Sequence, residues 1–104
     1  RKATKLDSQE VIFQLNNTNA LVIDLRNEKE FSRGKISQAI YTGPNIENCK
    51  KEINKISDRP VILFCQNGLK SDEFSKELKK SEIDVYILKG GKNSWIADGL
   101  PLLD

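Results

Sequence analysis

A cysteine at the end of an apolar strand is the residue in this sequence best suited to do chemistry. The run Val61–Phe64 predicts a buried strand, and Cys65 follows it directly. After four further residues come Lys70 and Ser71. A loop of this length can curl so that its backbone N–H groups point at the sulfur, with the positive end of the next helix behind it. Such surroundings favour the thiolate, which is the nucleophilic form of cysteine.

The residues of this loop have separate predicted roles. Gly68 permits a backbone angle that other residues disfavour, and Lys70 offers a positive charge to an anionic substrate. Ser71 is a residue type that caps helices, so the next helix is predicted to open there. From the loop alone, a buried and inert Cys65 is an equally good interpretation. The candidate site is Cys65 with the loop residues Gln66, Asn67, Gly68, Leu69, Lys70 and Ser71.

Composition excludes several classes of protein. The length of 104 residues predicts a single domain over residues 1–104. Seventeen basic and fifteen acidic residues are interspersed and leave a formal net charge of +2, so no basic face for nucleic acid is expected. No apolar run approaches the ~20 residues that cross a bilayer, so neither a transmembrane helix nor a signal peptide is expected.

Histidine is absent, and cysteine occurs only at Cys49 and Cys65. The absence of histidine removes the commonest general base and the commonest metal ligand, so cysteine is the candidate nucleophile and no metal is expected. Two cysteines do not make a disulfide framework, which favours a reducing, cytoplasmic compartment. Cys49 falls on the apolar stripe of a predicted helix and is expected to be a core thiol rather than a resolving cysteine.

The first residues are basic, and the chain does not begin with methionine. A basic flank beside a membrane anchor, at the cytoplasmic face of the inner membrane, is one interpretation of Arg1, Lys2 and Lys5. A boundary placed there for convenience is the other, and both interpretations stay open.

Strand and helix patterns alternate along the chain. Strands are predicted at Leu21–Leu25, Ala39–Thr42, Val61–Phe64 and Val85–Leu88. Helices are predicted from Asp7 and Glu10 to Asn16–Asn19, from Asn27 and Glu30 to Gly34, along Ile46, Cys49, Ile53 and Ile56, from Ser71 with Phe74 and Leu78 inward, and at Lys92–Asp98. This alternation predicts an α/β fold with a mainly parallel sheet. Right-handed crossovers then bring the carboxyl ends of the strands to one edge, where such sheets bind ligands.

Four motifs, in order along the chain, resemble the signatures of rhodanese domains. The first is Asp24-Leu25-Arg26 with Glu30-Phe31, and the second is Gly34-Lys35-Ile36-Ser37-Gln38-Ala39. The third is the segment from Cys65 to Ser71, which is similar to Cys-x-x-Gly-x-Arg-Ser. The last is Leu88-Lys89-Gly90-Gly91 with Trp95 and Gly99-Leu100-Pro101-Leu102. The pattern is particularly similar to single-domain bacterial rhodaneses, some of which are tethered to the inner membrane by a helix outside the domain.

This resemblance implies a rhodanese-like three-layer α/β domain, with a mainly parallel central sheet and helices on both faces. The implied activity is sulfane-sulfur transfer. Cys65 attacks a donor such as thiosulfate or a protein persulfide, becomes a persulfide, and passes the sulfur to cyanide or a thiol. The resemblance implies no cofactor, and the oligomeric state is left open.

Three residues of these motifs are given structural rather than reactive roles. Asp24 and Arg26 are expected to support the site by fixing the turn after their strand through pairing or hydrogen bonding. Trp95 is expected to cover the core beside Gly90-Gly91, with a wall of the substrate pocket as the less favoured interpretation.

The sequence departs from the family pattern at several positions. Lys35 stands where the family usually has histidine, Ser37-Gln38 where it has Pro-Gly, and Lys70 where it has arginine. Lysine keeps the charge but lacks the planar fork that grips an oxyanion with two hydrogen bonds. This loss favours a donor other than thiosulfate. Gln66 also stands where arginine is frequent, so the mouth of the site is less basic than in many members of the family.

Two alternative functions stay open beside sulfur transfer. Phosphatases and arsenate reductases of related fold use a similar cysteine loop, but with five residues between the cysteine and the arginine, which makes a wider cradle. Four residues separate Cys65 from Lys70, which favours a sulfur-sized site. A non-catalytic binding module is the other alternative, and the presence of Cys65, Gly68 and Ser71 together argues against it.

Overall fold

The computed structural model describes residues 3–56 and 58–104. Its sheet has five strands: β1 at Thr4–Leu6, β2 at Leu21–Asp24, β3 at Ile40–Tyr41, β4 at Val61–Phe64 and β5 at Tyr86–Leu88. They lie in the order β1-β5-β4-β2-β3, and each neighbouring pair is parallel. The expected α/β fold with a parallel sheet is therefore confirmed. Arg1 and Lys2, from the predicted basic flank, lie outside the described residues.

The described part of the chain contains five helices, of which four connect successive strands and the fifth follows β5. They are α1 at Ser8–Asn17, α2 at Glu28–Arg33, α3 at Ile46–Asn54, α4 at Leu69–Lys80 and α5 at Gly91–Ala97. Side chains of α1 and α5 enter one core cluster, and side chains of α3 and α4 enter another. The expected three layers, with helices on both faces of the sheet, are thus confirmed.

The two core clusters arise from the alternation of side chains along the strands. Val22, Ile62 and Phe64 point into the cluster shared with α1 and α5. Ile23 and Leu63, one position away, point into the cluster shared with α3 and α4. Strands buried on both faces need apolar residues at nearly every position, which is why β4 is a continuous apolar run and β2 is apolar up to its last residue, Asp24.

Short polar side chains cap three of the helices, α1, α2 and α3, and the first two of these caps were predicted from the sequence. Asp7 accepts a hydrogen bond from the backbone N–H of Glu10, and the Glu10 carboxylate accepts one from the N–H of Asp7, at 2.8 and 3.0 Å. Asn27 accepts from the N–H of Glu30 at 2.9 Å. Both predicted caps are therefore confirmed. Each satisfies an N–H group of the first helical turn, which has no partner within the helix itself.

One strand was not predicted, and several boundaries move by a residue. β1 has only three residues, with Thr4 and Lys5 exposed, so it shows no apolar pattern. Its position depends on pairing with β5, including the hydrogen bond from the Lys89 N–H to the Leu6 carbonyl at 2.8 Å. The strands predicted at Leu21–Leu25, Ala39–Thr42 and Val85–Leu88 are shorter in the structure, and α5 begins at Gly91 rather than at Lys92.

The prediction that Ser71 opens the helix after the loop is wrong. The helix α4 begins at Leu69, its N-cap is Gly68, and Ser71 is its third residue. The chain enters the helix two residues early because Gly68 adopts a left-handed conformation with φ of 93°. None of the helices in the described part of the chain is long and apolar enough to span a bilayer.

Candidate functional site

The sulfur of Cys65 lies at the carboxyl end of the central strand β4, between the ends of β5 and β2. Cys65 is 2% exposed. Its Sγ atom accepts hydrogen bonds from the backbone N–H of Gly68 at 3.1 Å and of Ser71 at 3.4 Å. The predicted cradle of backbone amides therefore exists, and these donors stabilise negative charge on the sulfur.

The loop reaches this shape through Asn67 and Gly68. The Asn67 side chain accepts a hydrogen bond from the Leu69 N–H at 3.1 Å, and the first helical bond of α4 runs from the Asp72 N–H to the Gly68 carbonyl. The N–H groups that a capping side chain would otherwise satisfy are thus shared between Asn67 and the cysteine sulfur. This sharing is the physical reason why the expected cap at Ser71 is not needed.

The start of α5 packs directly against the same loop. The N–H groups of Lys92 and Asn93 donate to the carbonyls of Cys65 and Gln66, at 2.8 and 3.1 Å. Gly91 has φ of 57°, and a Cβ atom there would lie 2.3 Å from the Cys65 carbonyl oxygen. Glycine is therefore required at this position both for its backbone conformation and for the close approach.

The side chains of the loop differ in how they are held. Gln66 donates from Nε2 to the Asn93 side-chain oxygen at 3.0 Å. Lys70 is 45% exposed, with its ammonium 3.5 Å from a Glu73 carboxylate oxygen. Leu69 is 72% exposed. The role of Lys70 in binding a substrate stays a prediction, because its contacts are with neighbours on α4.

Asp24, the last residue of β2, and Arg26 form a buried ion pair. The Arg26 guanidinium donates from Nε and Nη2 to the carboxylate at 2.8 to 3.2 Å, and Nη2 also donates to the Gly34 carbonyl at 2.7 Å. The guanidinium lies over the Phe64 ring, 4.9 Å from its centroid. The predicted pairing is confirmed, and it joins the end of β2 to the end of α2 and to β4.

Cys49 and Trp95 lie in the core, as predicted. Cys49 is fully buried, and burial raises the pKa of its thiol to about 11. Trp95 is buried in the cluster with α1, and its indole N–H donates to the Pro101 carbonyl at 2.9 Å. A buried thiol that keeps its proton is a poor nucleophile, which favours the predicted structural role of Cys49.

Two surface cavities lie away from the loop. One, of about 160 Å³, lies beside α4 and the start of β1, and the other, of about 320 Å³, lies beside the end of α1. Neither is lined by a residue of the segment from Cys65 to Ser71. The backbone cradle around Cys65 is therefore separate from both of these cavities.

Sequence reasoning missed the contribution of Asn93. Asn93 is 27 residues away from Gln66 in the chain, and nothing in its local pattern indicates a contact. The signal that could have found it is the adjacent pair Gly90-Gly91, because two glycines after a strand indicate a close approach of backbone.

The fold and the site define a parallel α/β domain with a cysteine loop at the carboxyl edge of its sheet. Comparison with protein families matches residues 7–98 to the rhodanese-like domain. The chain belongs to this family.

Relatives with similar sequence come from bacteria. YibN of Escherichia coli K12 is 33% identical over 92 residues, which cover 86% of this chain and 64% of YibN. A protein named tRNA uridine(34) hydroxylase, from onion yellows phytoplasma, is 31% identical over 98 residues, which cover 86% of this chain and 31% of the hydroxylase. The chain thus spans slightly less than two thirds of the first relative and about a third of the second.

Solved structures show the same fold at lower sequence identity. A rhodanese-related protein from Thermoplasma volcanium superposes with a TM-score of 0.78 at 20% identity, covering 96% of this chain and 97% of that protein. A thiosulfate sulfurtransferase from Pseudomonas aeruginosa superposes with a TM-score of 0.81 at 22% identity, covering all of this chain and 20% of that protein. The whole described architecture is therefore that of a rhodanese-like domain.

Proposed function

We propose that this domain is a sulfurtransferase that carries sulfane sulfur as a persulfide on Cys65. The observation that supports the proposal most directly is the pair of backbone N–H groups, from Gly68 and Ser71, that donate to the Cys65 sulfur. Donors placed in this way stabilise a thiolate before the reaction and an anionic persulfide after it. The name of the solved relative from Pseudomonas aeruginosa agrees with the proposal.

The reaction has two steps, each with a thiolate or persulfide anion on Cys65. The thiolate attacks the outer sulfur of thiosulfate, a bond forms between Sγ and that sulfur, and the sulfur–sulfur bond of thiosulfate breaks to release sulfite. An acceptor nucleophile, cyanide or a thiolate, then attacks the outer sulfur and leaves Cys65 as the thiolate. Neither step needs a histidine, because each nucleophile reacts as an anion.

Ser71 supplies a second reason to place a sulfur-bound anion here. Its hydroxyl is buried and has no hydrogen-bond partner among the described residues, although the N–H of the same residue donates to the Cys65 sulfur. A buried hydroxyl without a partner costs free energy, and a terminal persulfide sulfur within reach would accept its hydrogen bond. The sulfur donor in this proposal is thiosulfate or a persulfide, and the sulfur acceptor is cyanide or a thiol.

Intact mass spectrometry after exposure to thiosulfate tests the proposal. We expect the protein to gain the mass of one sulfur atom, on the peptide that contains Cys65, and to lose it again on addition of cyanide. Cys65→Ser should gain nothing, because a hydroxyl cannot hold sulfane sulfur. Cys49→Ser is the matched control and should load as the wild type does, since Cys49 is fully buried.

Two results would contradict the proposal. If the folded protein gains no sulfur from thiosulfate or from a low-molecular-weight persulfide, the domain is a binding module instead. If it hydrolyses p-nitrophenyl phosphate through Cys65 and gains no sulfur, the loop serves an oxyanion enzyme of the phosphatase type.

A further inference from the structure

Asn93 on α5 is joined to the first loop residue by two hydrogen bonds. The Asn93 N–H donates to the Gln66 carbonyl at 3.1 Å, and the Gln66 side chain donates from Nε2 to the Asn93 side-chain oxygen at 3.0 Å. We propose that Asn93 is a positioning residue that holds the Cys65 loop through Gln66. This inference rests on the proposed function and concerns the same site.

The backbone bonds to α5 decide which way the loop amides point. The carbonyl and the N–H of one peptide unit point in opposite directions. Because the carbonyls of Cys65 and Gln66 are held on α5, the N–H groups of Gln66 and Asn67 face away from α5. The loop continues from there to Gly68 and Ser71, whose N–H groups reach the sulfur.

The side-chain hydrogen bond between Gln66 and Asn93 adds a restraint on side-chain rotation that the backbone hydrogen bonds do not supply. Gln66 and Asn93 are both exposed, so each amide would otherwise rotate freely in water. Their hydrogen bond removes this freedom at the start of the loop and restricts rotation of the Gln66 backbone. Any residue at position 93 provides the backbone N–H, but only a side chain with an acceptor at this distance completes the contact. Asn93 therefore acts on Cys65 through its two hydrogen bonds with Gln66.

A double-mutant cycle on the reactivity of the Cys65 thiol tests this role. The proteins are the wild type, Gln66→Ala, Asn93→Ala and the double variant, and the readout is the rate of Cys65 alkylation by iodoacetamide as a function of pH, followed by peptide mass. We expect each single variant to react about two- to fivefold more slowly near neutral pH, the size of one exposed hydrogen bond. The pH profile should move to higher pH, and the double variant should react no more slowly than either single variant.

The controls separate positioning from general loss of structure. Asn16→Ala changes an exposed asparagine on α1 and should leave the alkylation rate and the profile unchanged. Thermal unfolding of all variants should shift the Tm by no more than a few degrees, because residues 66 and 93 are exposed and only one hydrogen bond is lost. Additive effects of the two substitutions, or an unchanged pH profile in Asn93→Ala, would overturn the proposal.

The cycle decides the role of Asn93 even if the proposed function fails. Alkylation requires only a nucleophilic thiol and no sulfur donor. A protein that loads no sulfur but shows coupled effects of Gln66→Ala and Asn93→Ala retains the positioning role without the transferase activity. A protein that loads sulfur but shows additive effects retains the activity without the positioning role.

Discussion

The two cysteines show how the surroundings of one side chain decide its chemistry. The sulfur of Cys65 accepts hydrogen bonds from two backbone N–H groups, whereas Cys49 is fully buried among apolar side chains. Donors that point at a sulfur stabilise its anion, whereas apolar surroundings stabilise the neutral thiol. The same residue type is therefore a candidate nucleophile at one position and a core residue at the other.

The buried thiol of Cys49 predicts a pH dependence of stability. Burial raises its pKa from 9.0 to about 11, so the unfolded chain ionises first and stability is lost as the pH rises through this interval. We expect the free energy of unfolding of the wild type, relative to that of Cys49→Ala, to be constant below pH 9 and to fall by roughly 2–3 kcal/mol at higher pH. Urea unfolding across this range measures it. Parallel curves for the two proteins would show that Cys49 is not responsible.

A second prediction at the residue scale concerns Lys70 and its neighbour Glu73. If the ammonium binds an anionic donor, Lys70→Ala should raise the KM for thiosulfate about three- to tenfold and change kcat less, because a charged contact made in the ground state is lost. Lys70→Arg should lower the KM, since arginine offers two parallel donors. Glu73→Ala should lower it too, because the carboxylate 3.5 Å away competes with the donor.

A lysine farther along the same helix is the matched control for these variants. Lys76 is exposed and pairs with Asp72 at 3.4 Å, as Lys70 pairs with Glu73. Lys76→Ala should leave the KM unchanged if the effect of Lys70 is local. Equal effects of both substitutions would indicate general attraction between the domain and anions, and no effect of either would place Lys70 outside the binding site.

At the scale of elements, local patterns predicted most of the fold, and contacts distant in sequence account for what they missed. The caps at Asp7 and Asn27 depend on a residue three positions away, so their spacing is visible in the sequence. The strand β1 depends on β5 and has no local signal, and the contact of Asn93 depends on the loop and is indicated only indirectly, by the two glycines before it. Ser71 failed as a predicted cap because it lies inside the first turn of α4, where its own N–H donates to the cysteine sulfur. The cysteine loop was predictable because strand, cysteine and glycine are consecutive.

At the scale of the whole molecule, Arg26 connects parts of the chain that are far apart in sequence. Its guanidinium is buried against Asp24, the Gly34 carbonyl and the ring of Phe64. Beyond Gly34, the backbone of Lys35 exchanges two hydrogen bonds of 2.7 Å with Leu103. The ion pair therefore lies at a junction between the sheet, α2 and the C-terminal segment, which explains why two charges are kept in a buried position.

This junction predicts an asymmetric response to substitution. Arg26→Leu removes one partner of a buried pair and leaves the Asp24 carboxylate without its cation, so we expect a loss of about 3–5 kcal/mol in the free energy of unfolding. Replacing both residues with leucine removes the uncompensated charge as well, and this double variant should be more stable than Arg26→Leu alone. Arg26→Lys keeps the charge but loses the bidentate geometry and the contact with Gly34, so its stability should lie between those of the wild type and Arg26→Leu. Urea unfolding of the four proteins at neutral pH measures the differences, and a double variant no more stable than Arg26→Leu would show that the unpaired Asp24 carboxylate is not the cause of the loss.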